Sequence, residues 1–98
     1  MASWTVETAG PVRRWTGDAA WFFLLLPPEV GDDIRSRSER SGFGSVKVTA
    51  TIGATTWSTS VFPDSSSGSY VLPVKAAVRR AEGIDDGDEV AVRLTLGD

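Results

Sequence analysis

Two stretches of this chain follow one plan, and that repetition restricts the available folds more than any other feature. FLLLPPEV (residues 23–30) resembles YVLPVKAA (70–77), each an apolar run ending in Leu-Pro ahead of helix-forming sequence. Gly42-Phe43 then matches Gly83-Ile84, and VKVTATIG (46–53) matches VAVRLTLG (90–97). In both copies an apolar residue follows the stopping glycine, as when a helix end docks back on its own helix. The unit is strand, Leu-Pro, helix, Gly, strand. One copy cannot cover its own apolar face, so a second copy in the same chain supplies what a partner chain otherwise would. The repeat therefore predicts a monomer or a weak dimer.

Periodicity fills in the rest. Trp4, Val6 and Thr8 alternate with polar neighbours as an opening strand, expected to close at Gly10-Pro11, with residues 12–15 resuming after a turn. AWFFLLL (20–26) is apolar at successive positions, which predicts a central strand covered on both faces. Pro28 suits the first position of a helix running to about Arg40, with Glu29, Asp32 and Asp33 at its positive end and Arg35, Arg37 and Arg40 at its negative end. Val46, Val48, Ala50 and Ile52 form the inward side of a half-buried strand, and a hairpin at 53–56 leads into WSTSVF. Residues 63–69, PDSSSGS, read as a mobile polar loop with nothing to bury. A second helix over 74–81 places Val74, Ala77, Val78 and Ala81 on one face, and DDGD (85–88) turns the chain into a last strand with Val90, Val92, Leu94 and Leu96 inward.

The 98 residues suffice for one domain over 1–98, and 41% apolar content argues that it folds. Without Cys or His the chain lacks thiolate and most zinc chemistry and the usual Ser-His hydrolase machinery. A serine nucleophile would need Lys47 or Lys75 as its base, and neither is paired with one by sequence. No enzyme, cofactor or metal site is expected. DDGDE lacks the spacing of a calcium loop, and GFGS follows a helix instead of a strand, so it is no dinucleotide loop. No basic-then-apolar leader occupies the first twenty residues, and the apolar run at 19–30 is interrupted by Pro27 and Pro28. The expected location is cytoplasmic, away from membranes.

Taken together, WFFLLLP, VKVTATIG, TWSTSVFP and YVLPVKAAVRRAEGIDDGDEVAVRL resemble the bacterial DUF1905 family, a domain of unknown function, from about Val6 onward. The resemblance implies a mainly β fold with two short helices: a small closed double-split β-barrel, an architecture shared with AbrB-like and MazE-like DNA-binding dimers but built here from one chain. It implies no established activity.

Lys75 is the misplaced charge. It falls at the start of the second helix, where the dipole disfavours a cation, and one turn before the like-charged Arg79. Lys75 and Arg79 together suit a carboxylate or phosphate, with Trp57, Thr59 and Ser60 as a mixed-polarity wall. The bland alternative is that both cations snorkel into water or pair with Glu82 or Glu89. These residues predict a binding module for an unidentified small anionic ligand or a protein partner. The rival is a DNA-binding regulator using Lys47, Arg79, Arg80 and Arg93. A net charge of −3, with thirteen acidic against ten basic residues, weighs against nucleic acid. Trp4 and Trp15, among four tryptophans, are candidates to cover a barrel end or a partner surface.

Overall fold

The computed structural model describes residues 4–15, 21–37 and 44–96. Strands β1 (Trp4–Arg14), β2 (Phe22–Leu25), β3 (Val46–Ile52), β4 (Thr55–Asp64), β5 (Ser69–Pro73) and β6 (Glu89–Leu96) form an antiparallel barrel. It closes in the order β1-β2-β5-β4-β3-β6, leaving no free edge. Helix α1 (Pro28–Arg37) follows β2, and α2 (Ala76–Glu82) follows β5. The chain is thus mainly β with two helices. Exchanging β1, β2 and β3 with β4, β5 and β6 leaves the strand order unchanged, which is the topology that two copies in one chain would need.

Alternation builds the core. Val46, Val48, Ala50 and Ile52 of β3 and Val92, Leu94 and Leu96 of β6 point inward, joined by Leu24, Val61 and Leu72 from the other strands and by Leu26 just beyond β2. Each helix closes against this interior through few side chains. From α1 come Val30 and Ile34, and from α2 comes Val78. Gly31 of α1 lies so close to β5 that a methyl group there would overlap the Ser69 hydroxyl. At the far end of α2, Gly83 takes the left-handed conformation (φ 65°), and the Ile84 N–H reaches back to Arg79 O at 2.9 Å while its side chain is buried.

The structure departs from the sequence reading at several points. Gly10-Pro11 is no turn: β1 runs through it, and Pro11 opposite Glu89 is the last pair with β6 before Val12 opposite Leu24 begins the ladder with β2. A proline lacks an N–H, so it is cheap where a strand changes partners. β2 is covered on its inner face alone. Leu24 and Leu26 are buried, whereas Trp21 and Leu25 are 36% and 40% exposed. Its outer aromatic rings shield each other instead, Trp21 lying 5.9 Å from Trp15 and 5.4 Å from Phe23 between centroids.

The serine loop also buries one of its ends. Ser69 is in β5, its hydroxyl donating to Leu26 O at 2.8 Å from a fully buried site. The intervening turn is held by the Asp64 carboxylate, which accepts from Ser66 Oγ and Ser67 N at 3.1 Å. The Ser67 side chain above all, then the Ser66 hydroxyl and the Ser67 N–H, hold the Asp64 carboxyl below the usual range despite the opposing effect of burial. Helix α2 starts later than periodicity suggests. Val74 precedes it, with its N–H on Phe22 O at 2.9 Å, and Ala77 and Ala81 face solvent. The first helix beyond Arg37 and the Gly42-Phe43 stop lie outside the described residues.

Candidate functional site

The split between β4 and β5 creates a cleft. Their ladder consists of Phe62 opposite Val71, Pro63 opposite Tyr70 and Asp64 opposite Ser69. Upstream, β4 stays with β3, while Leu72 and Pro73 of β5 pair with β2. Residues 57–59 and 73–75 therefore part, and α2 packs against β4 at this end. The cleft is about 230 Å³ and mostly apolar, with Trp57, Phe22, Trp21 and Pro73 as walls and Lys75 and the Ser58 and Thr59 residues on its lining.

Each wall has a local cause. Trp57 is an inward position of β4 and is 8% exposed. Phe22 is held from behind by Arg79, whose guanidinium carbon stands 3.8 Å from the ring centroid while Nε donates to Val74 O at 3.2 Å. Such a stack is worth about 0.5–2 kcal/mol. Lys75 is the N-cap residue of α2 with extended backbone (φ −72°, ψ 161°), and its side chain makes no capping hydrogen bond. Among the described residues it enters no ion pair, since the two pairs there are Arg35 with Asp32 and Arg93 with Glu7. Glu82, one of the acids weighed as its partner, instead accepts from Thr55 Oγ1 at 2.5 Å.

Of the residues singled out from sequence, Trp57, Thr59 and Lys75 meet at this cleft, and Arg79 backs its Phe22 wall. Ser60 does not line it. It faces outward with Lys47, Thr49, Phe62 and Thr95 on a second groove of about 640 Å³ over β3 and β4, which shares Ser58 and Thr59 with the cleft. The sequence reading missed Trp21 and Phe22. Their aromatic character was visible, but the register that sets Phe23 opposite Pro73 brings them beside Lys75, and no local pattern reveals it.

The cations proposed for DNA do not form one stripe. Arg93 is tied to Glu7 at 3.0 Å, Arg79 is stacked on Phe22, Arg80 is exposed on α2, and Lys47 lies on the outer face of β3. The acidic turn is used locally: Asp85 N–H donates to the Asp88 carboxylate at 2.8 Å, and Arg14 N–H to Asp86 at 2.9 Å. Among the described residues no acidic cluster suited to a metal ion forms, and no helix is long and apolar enough to cross a membrane.

No curated protein matches the chain at a significant level. The model of the family described as Domain of unknown function (DUF1905) matches residues 9–94, so the chain belongs to that family.

Proposed function

We propose that this DUF1905 domain is a non-enzymatic binding module whose β4–β5 cleft takes a small anion carrying one flat apolar ring, such as a monocyclic aromatic carboxylate. The observation behind this reading is an ammonium group without an ion-pair partner among the described residues, set at the rim of an aromatic-walled cleft. Volume narrows the ligand class. Pockets for drug-sized molecules span about 300–1,000 Å³, and a cleft of about 230 Å³ has room for a single ring. The ring would lie between Trp21, Phe22 and Trp57, with its carboxylate towards Lys75.

Arg79 is a positioning residue in this scheme. Its stack on Phe22 and its bond to Val74 O join the wall to the segment that carries Lys75. The scattered cations and the net charge of −3 favour this reading over DNA binding.

A thermal-shift panel of benzoate, phenylacetate, inorganic phosphate and nucleotides tests the proposal. At one hundred times Kd a ligand adds about 2.7 kcal/mol. A ring carboxylate should raise the melting temperature of wild type by roughly 11–22 °C and leave Lys75→Glu unmoved. Equal responses in both proteins, or none in either, would reject it.

A further inference from the structure

The outer wall of the barrel carries a second feature, which meets the cleft at Trp21. Two cross-strand rows lie side by side on β1, β2, β5 and β4. Arg13 sits opposite Phe23, which sits opposite Pro73, and Leu25 sits opposite Val71, which sits opposite Phe62. Leu25 and Phe62 are 40% and 45% exposed, and Trp15, 48% exposed, extends the surface through its contact with Phe23 at 6.4 Å between centroids.

We propose that this face docks a short segment of a partner protein in which acidic and apolar residues alternate. Area and charge select that occupant. Half-exposed rings of about 200 Å² each, with Leu25, make an apolar surface of roughly 300 Å², below the roughly 450–500 Å² of apolar area within the ~800 Å² that each partner buries in a stable protein dimer. Arg13 flanks the patch beside Phe23, and Lys47 flanks it across the groove that Phe62 lines. Neither is in an ion pair among the described residues. The acid at the edge, Asp64, is engaged with Ser66 and Ser67. Asp64 keeps its negative charge in that turn, so the face carries two unpaired cations against one anion, a local excess of positive charge in a chain whose overall excess is acidic. A two-fold contact between copies would set these cations against one another, whereas an acidic segment pairs with them. The closed barrel offers no strand edge, so recognition runs through side chains and not through added β-pairing.

The test is a phage-displayed library of nine-residue peptides, selected on wild type and depleted on Leu25→Glu/Phe62→Glu. Enriched peptides should alternate Asp or Glu with Phe, Trp, Leu or Ile. They should bind at least tenfold more weakly to that variant and to Arg13→Glu/Lys47→Glu, both of which alter exposed positions and should melt near wild type. Affinity should fall with salt. The proposal fails if no sequence is enriched over depletion, or if the winners are basic or neutral. It also fails if the patch instead mediates wild-type co-sedimentation with phosphatidylglycerol vesicles or concentration-dependent dimerisation.

Discussion

Replacing Gly31 by alanine should destabilise the protein, although alanine is the better helix former. In an exposed helix the exchange would gain about 1 kcal/mol. Here the new Cβ would overlap Ser69 Oγ and stand 3.0 Å from the Cα and Cβ of the same residue. Ser69 is 1% exposed and opposite Asp64 in the β4–β5 ladder, so its backbone has nowhere to retreat. Rotating the hydroxyl away breaks its 2.8 Å bond to Leu26 O and leaves a buried polar group unsatisfied, at about 1–3 kcal/mol. Moving the helix outward instead costs about 1–3 kcal/mol of lost packing around Val30 and Ile34. Set against the gain in helix propensity, the net expectation is about 1 kcal/mol of destabilisation, a fall of roughly 4–8 °C in Tm for a domain of this size. Urea unfolding followed by tryptophan fluorescence measures it. Adding Ser69→Ala removes the worst overlap and should make the pair less destabilised than the sum of the singles by about 1 kcal/mol. A Gly31→Ala protein as stable as wild type, or more so, would refute the close approach of α1 to β5.

Arg79→Lys keeps the charge but loses the planar stack on Phe22 and the Nε bond to Val74 O, and should cost about 1 kcal/mol by the same unfolding assay. A neutral result would mean that the guanidinium does not hold the wall. Asp64 should titrate below the ordinary aspartate value of about 3.9. Its native pKa is depressed, so its contribution to stability is fully present above the unfolded value and disappears as pH falls through the native one. A carboxyl NMR titration with a midpoint at or above 4 would contradict the serine-capped turn.

The sequence revealed most where one period repeats over several residues. β3 and β6 were legible because Val46, Val48, Ala50 and Ile52, and then Val92, Leu94 and Leu96, each mark a single buried face. The stop at Gly83 was legible from glycine chemistry. Long-range pairing was not. Nothing local says that β1 passes straight through Gly10-Pro11 because it is changing partners there, or that a serine after a polar loop is buried by a helix more than 30 residues earlier. AWFFLLL misled for a related reason. An unbroken apolar run looks the same whether its second face is covered by protein or, as here, by its own neighbouring rings. At the cleft, Lys75 stood out as a charge out of place, and Trp57 and Thr59 followed from strand alternation. Their assembly with Trp21 and Phe22 depends on the register between β2 and β5 and on the parting of β4 from β5.

The proposed cleft is tested most directly by a nitrogen-15 NMR titration of the wild-type protein with benzoate. Saturable shifts at the indole N–H of Trp57 and Trp21 and at the Lys75 amide, absent from Lys75→Glu, are the predicted result. Shifts confined to the Lys47–Phe62 groove, or none at any tryptophan, would contradict it.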